Sequence, residues 1–116
     1  IVTSSLSAAN VLLNSDNTTI ITGGQLNPGN MSIEGFQTTS FINTLKVAVS
    51  FLGTNGFEQH KGPAVSDFTD AQTKQAILPN AKINVVISDS SKASTSALVQ
   101  YASWRDIDYF ITDSNL

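Results

Sequence analysis

The sequence predicts an α/β domain with a mostly parallel sheet flanked by helices, and three observations lead there. Residues 47–52 (Val-Ala-Val-Ser-Phe-Leu) and 83–87 (Ile-Asn-Val-Val-Ile) are short, nearly continuous apolar runs, as strands covered on both faces are. Such runs alternate with stretches patterned at helical spacing, in the order strand, helix, strand, helix, strand, helix, strand, strand. Several strands also run into small polar loops. In a parallel sheet those ends lie along one edge, which is where open α/β sheets bind ligands.

Each element has its own signal. Residues 1–3 (Ile-Val-Thr) read as a strand, and the hydroxyls of Thr3, Ser4 and Ser5 can cap a following helix, with Leu6, Ala9 and Leu13 on one face. A chain rarely opens inside its sheet, so the expectation is a piece whose N-terminal part has been removed. Asn14, Ser15, Asp16 and Asn17 make a turn. Residues 18–22 are a second strand ended by Gly23 and Gly24; glycine there permits positive φ or the close approach of a ligand, and a plain tight turn explains the pair equally well. Residues 25–30 read as a polar loop and 31–34 as a short strand. Residues 36–45 are weakly helical, and 47–52 form a buried strand ending at Gly53, Thr54, Asn55 and Gly56.

Residues 57–63 are irregular and hold the one histidine, His60, read as an exposed loop residue without the partners a metal needs. Asp67 is a helix N-cap with Asp70 three positions on, the helix runs to Leu78, and Pro79 stops it. Lys74, four residues after Asp70, makes an exposed ion pair with it. The strand at 83–87 stops in Asp89, Ser90, Ser91 and Lys92. Residues 97–102 are a strand with Leu98, Gln100 and Ala102 on one face, 104–106 a turn, and 107–112 a last strand.

Composition narrows the function. The chain has 116 residues, net charge −3 and no cluster of Lys or Arg, which makes this segment a poor surface for nucleic acid. It has no cysteine, so no disulfide frame and no thiolate metal site, in keeping with a reducing, cytoplasmic setting. It shows no signal peptide and no apolar run long enough to span a bilayer. No cofactor is implied. Lys92, a cation among the hydroxyls of Ser90 and Ser91 and just past a strand's carboxyl end, suits a small anion such as a phosphate. The plainer alternative is that Asp89 and Ser90 only start a turn and Lys92 is solvated.

Taken in order, Phe51-Leu52-Gly53-Thr54-Asn55-Gly56-Phe57, Gly62, Asp70 to Lys74, Asp89-Ser90-Ser91-Lys92, Asp106-Ile107-Asp108 and Ile111-Thr112-Asp113 resemble the C-terminal effector-sensing domain of DeoR-family transcriptional repressors. The opening residues 1–6 and Gly23-Gly24-Gln25-Leu26 fit the same pattern, so the resemblance covers essentially the whole chain. It implies the fold shared by ribose-5-phosphate isomerase, glucosamine-6-phosphate deaminase and CoA transferases. It implies a bacterial repressor of sugar metabolism whose inducer is a phosphorylated sugar, and whose operator DNA is held by a winged helix-turn-helix N-terminal to this segment and absent from it. It also implies a first strand and a Ser/Gly/Thr-rich loop before residue 1 that complete the phosphate cradle. A repressor of palindromic sites is a homo-oligomer.

By the same resemblance, Lys92 matches the family's lysine at the strand end and pairs with a phosphate or a sugar oxygen. Gly53, Thr54, Asn55 and Gly56 match the loop that covers the sugar, with Asn55 where the family usually has an acid. Asp70 stands where the family tends to have Glu and reaches a sugar hydroxyl or only caps its helix. Asp89 and Ser90 border the same edge, and Ser4, Gly24 and Gln25 match loop positions that donate hydrogen bonds to the ligand. The leading expectation is therefore a sensor and not an enzyme. Asn55 cannot act as a base, and a sugar-phosphate isomerase of this fold would have only Asp70 or Asp89 for that work. An oligomerisation module with a vestigial pocket is a third reading, in which Lys92→Ala leaves inducer response intact.

Overall fold

The computed structural model describes residues 1–115, which fall into two compact units, 1–44 and 45–115. In the first unit, strands β1 (Val2–Thr3) and β2 (Ile20–Ile21) pair in parallel through helix α1 (Leu6–Leu12). The helix starts where the sequence places it. Ser5 has extended backbone, and its hydroxyl accepts the Ala8 N–H at 3.1 Å, a cap worth about 1 kcal/mol.

Residues 25–30 correct the expectation of a loop. Strand β3 (Gln25–Asn27) pairs antiparallel with β4 (Ser32–Glu34), Gln25 opposite Glu34. The side chain of Asn27 builds the intervening turn, its Oδ1 accepting the Gly29 N–H at 3.0 Å and its Nδ2 donating to Glu34 at 3.1 Å. Helix α2 (Phe36–Ile42) follows Gly35, whose φ of 105° suits glycine alone.

The second unit is organised around β7 (Ala81–Ile87), the middle strand of a parallel sheet ordered β5–β7–β9, with β5 at Val47–Leu52 and β9 at Tyr109–Ile111. Phe51 is level with Val85 and Val85 with Tyr109, so all three lie on one face. Helix α3 (Phe68–Ile77) packs on the other. There Leu52, Val86, Val65, Ala71, Tyr101 and Ala102 form the core. Its N-cap is Asp67, whose carboxylate accepts the Asp70 N–H at 2.7 Å, and Pro79 lies in the turn that ends it.

Two expectations need correcting here. Strand β5 has the predicted bounds but is not covered on both faces, for Val49 and Phe51 are exposed, as are Ile87, Tyr109 and Ile111 on the same side. The apolar run reflects strand propensity on that face and burial on the other. Residues 97–102 contain only β8 (Val99–Gln100), which pairs antiparallel with β6 (Ala64–Val65) outside the parallel sheet.

Candidate functional site

The carboxyl ends of the neighbouring parallel strands β5 and β7 carry two of the predicted loops, and hydrogen bonds tie them together. After β7, Asp89 caps a 3-10 turn, Ser90–Ser94, by accepting from the Ser91 N–H at 3.0 Å and from the Ser91 hydroxyl. Asp113, two residues beyond β9, accepts the Ser90 N–H at 2.8 Å. Lys92 lies within this turn and is half-buried. Its carbonyl accepts the Phe57 N–H at 2.9 Å, and the Thr95 carbonyl accepts the Glu58 N–H at 3.0 Å. The turn that carries Lys92 is thus sewn to the segment leaving the 53–56 loop.

Electrostatics at this edge mix the two signs. The hydrogen bond from the Ser91 hydroxyl, helped by the Ser91 N–H and the charge of Lys92, holds the Asp89 carboxyl below its ordinary range. The Ser90 and Asn115 N–H groups do the same for Asp113. Asp89 therefore acts first as the cap of the turn.

The 53–56 loop holds itself by neutral bonds. The Thr54 hydroxyl donates to the Ala64 carbonyl at 2.8 Å and accepts the N–H groups of Ala64 at 3.1 Å and Gly56 at 3.3 Å. The Asn55 side-chain oxygen accepts the Ser66 N–H at 2.9 Å. The two glycines differ. A Cβ on Gly56 would overlap the Thr95 carbonyl, so packing demands glycine there. A Cβ on Gly53 would meet nothing within 4 Å, and its φ is not in the left-handed region. Neither packing nor conformation explains Gly53, and its bare Cα faces open space.

Asp70 lies in the first turn of α3 and is half-buried. Its carboxylate meets Lys74 at 2.6 Å, with only 24% and 18% of the two side chains exposed, which corrects the expected surface ion pair. The Lys74 ammonium lies 6.0 Å from the centre of the Tyr101 ring. Tyr101, buried in the core, donates its hydroxyl to the Gly53 carbonyl at 2.8 Å. Burial, and after it the Asp70 carboxylate, pushes this hydroxyl's pKa upward. Sequence reading missed Tyr101 because it assigned the patterned face of 97–102 to Leu98, Gln100 and Ala102. The one available signal was an aromatic hydroxyl on the opposite alternation of that same stretch.

His60 is also corrected. It is half-buried, and its Nε2–H donates to the Ala97 carbonyl at 2.6 Å, bracing the 57–63 segment. Beside it Phe57, Trp104 and Phe110 form an aromatic trio with ring centres 5.2–5.6 Å apart. Among the described residues no group of three or more His, Cys, Asp or Glu side chains is placed to hold a metal ion, and no helix is long and apolar enough to cross a membrane.

The remaining predicted positions belong to the first unit. The Ser4 carbonyl accepts the Ile33 N–H at 2.8 Å. Gln25 is exposed and opens β3. Gly24 has φ +143°, and a Cβ there would overlap the Thr38 hydroxyl, so the fold itself requires this glycine. Its neighbour Gly23, the other half of the pair noted in the sequence, has the open Cα. The Gly23 carbonyl accepts the Thr38 hydroxyl at 2.6 Å.

Residues 1–114 match the family described as the DeoR C terminal sensor domain. The chain is 33% identical over 115 residues to the HTH-type transcriptional regulator GlpR of Haloferax volcanii, covering 99% of this chain and 45% of that protein. It is 30% identical over 115 residues to the glycerol-3-phosphate regulon repressor of Escherichia coli, covering 98% of this chain and 46% of that protein. It is 26% identical over 114 residues to the HTH-type transcriptional repressor GlcR of Bacillus subtilis, covering 97% and 44%. The chain thus spans a little under half the length of these relatives. Its parallel β5–β7–β9 sheet and flanking helix are those of a sugar-isomerase-like α/β fold. With the family match spanning nearly every residue, this chain belongs to the DeoR C-terminal sensor domain family.

Proposed function

We propose that this chain is the effector-sensing part of a transcriptional repressor of sugar metabolism, and that its inducer is a phosphorylated sugar or polyol held at the carboxyl edge of β5 and β7. One observation carries the reading. The turn bearing Lys92 is hydrogen-bonded to the exit of the loop that begins with the bare Cα of Gly53, through Phe57 N–H to the Lys92 carbonyl at 2.9 Å. The turn that carries the lysine and the loop that carries the open glycine are therefore one hydrogen-bonded structure. The ammonium of Lys92 takes the phosphate. The 53–56 loop covers the sugar, and Gly53 admits it closely.

Binding here acts on DNA at a distance. An effector that prefers one conformation or assembly of the repressor changes operator affinity by the ratio of its affinities for the two states. The operator contact lies in the part of such a protein outside this chain, and a homo-oligomer matches two-fold operators. The setting is cytoplasmic.

The chemistry favours binding over turnover. Asp70 is tied up by Lys74, Asn55 cannot take a proton, and Asp89 is exposed with its proton affinity lowered. A carboxyl held below its ordinary range, as that of Asp89 is, is tuned away from the neutral range that a base for aldose–ketose exchange needs.

Calorimetric titration of the native protein tests this, using glycerol 3-phosphate, glucose 6-phosphate and fructose 6-phosphate beside glycerol, glucose and fructose. Heat with at least one phosphorylated compound and none with its parent is the expected result. Heat with parents alone overturns the phosphate assignment, and conversion of an aldose phosphate to a ketose phosphate overturns the non-catalytic one.

A further inference from the structure

The 53–56 loop is supported from below by groups that come from elsewhere in the unit. Tyr101 lies just after β8 and is 3% exposed, with its N–H on the Pro63 carbonyl at 3.0 Å and its hydroxyl on the Gly53 carbonyl at 2.8 Å. Asp70 and Lys74, one turn apart on α3, pair at 2.6 Å, with the ammonium 6.0 Å from the centre of the Tyr101 ring. Three polar side chains from two separate parts of the chain thus gather beneath the one glycine of this loop that packing does not explain.

The arrangement is specific in what it restrains. A buried phenol hydroxyl needs a partner, and here that partner is the first carbonyl after β5. With its carbonyl held from inside, Gly53 keeps the orientation that turns its bare Cα to open space. The lysine pairs with a carboxylate whose charge is felt at the Tyr101 hydroxyl. The cation also lies over a ring whose negative face attracts it, so the pair keeps its place without reaching the ligand.

We propose that Tyr101, seated by the Asp70–Lys74 pair, is a positioning residue for effector binding: its hydrogen bond to the Gly53 carbonyl presets the loop in the shape that receives the ligand. The proposal deepens the effector reading above and rests on it. Preorganisation of this kind increases affinity by removing the cost of ordering the loop at the moment of binding.

Tyr101→Phe is the direct test, because it deletes one oxygen and keeps the buried ring. Amide hydrogen exchange in the native protein, read at residues 53–56 and in β7, and calorimetric titration with the phosphorylated compound that binds the wild type, give two readouts. The expected result is faster exchange confined to 53–56, unchanged exchange in β7, and an effector Kd weakened about five- to tenfold, the equivalent of one hydrogen bond. Asp70→Asn tests the same support without touching the core, and about a threefold loss of affinity is expected from weakening one charged pair. A variant with wild-type exchange at 53–56 and wild-type Kd overturns the positioning role while leaving the effector reading intact. Uniformly faster exchange through β7 shows general destabilisation and also overturns it. A wild type that binds no phosphorylated compound overturns the effector reading and this inference with it.

Discussion

The 53–56 loop and the Ser90–Ser94 turn occupy equivalent places, each at the carboxyl end of a parallel strand, yet they are held in opposite ways. The first is neutral, braced from beneath by the buried Tyr101 hydroxyl and from within by Thr54. The second is held at the surface by two carboxylates, Asp89 and Asp113, accepting backbone and hydroxyl protons. Rigidity in the first is tied to the core, whereas in the second it depends on charge. On the proposed reading, the neutral loop would hold the effector and the charged turn would respond to the solution.

Breaking the neutral side has the largest expected effect. Gly56→Ala drives a methyl group into the Thr95 carbonyl, where neither backbone can give way cheaply. A loss of about 3 kcal/mol in unfolding free energy is expected by denaturant titration, and a loss below about 0.5 kcal/mol, the range of ordinary surface substitutions, would mean the loop exit is looser than drawn. Next comes the cation. Lys92→Ala leaves its backbone bonds in place, so the thermal midpoint stays near that of the wild type, while effector affinity falls at least tenfold, about 1.4 kcal/mol; an intact inducer response would favour the vestigial-pocket reading.

Gly53→Ala sharpens the contrast between the two glycines of one loop. The added methyl has space, so stability is unchanged or rises by about 0.4–1 kcal/mol through a less flexible unfolded chain. Effector affinity nevertheless drops severalfold, since the ligand loses its close approach; unchanged calorimetric binding would show that the ligand does not use this side.

The smallest effect concerns pH. Asp89 and Asp113 have folded pKa values below the ordinary 3.8, so they stabilise the fold above that value, and their contribution disappears as pH falls through the lower folded values. Acid titration of Asp89→Asn against the wild type should therefore show curves that differ at neutral pH and converge in strong acid. Convergence on raising the pH instead would reverse the assigned sign.

Local chemistry was legible in the sequence wherever neighbours in the chain decide it. The caps Ser5 and Asp67, the stop at Pro79, the bounds of β5 and the turn of Asp89 all depend on residues within a few positions. What escaped depends on distant partners. β3 is polar and becomes a strand only because β4 returns alongside it, and the open side of β5 is a matter of what packs on it. The Tyr101 bond to Gly53 spans 48 positions, and no spacing rule connects them. In the candidate site Lys92 and the glycine loop were visible as strand-end chemistry, but which glycine is bare and which is locked could not be told from two identical letters.

The aromatic trio has a practical consequence. Trp104 is the chain's single tryptophan, and its indole touches Phe57, whose own N–H is bonded to the residue 92 carbonyl. Displacement of that strip of backbone would re-tilt a phenyl ring against the only strong ultraviolet emitter in the sequence, so the native polypeptide carries an unlabelled optical gauge of movement there.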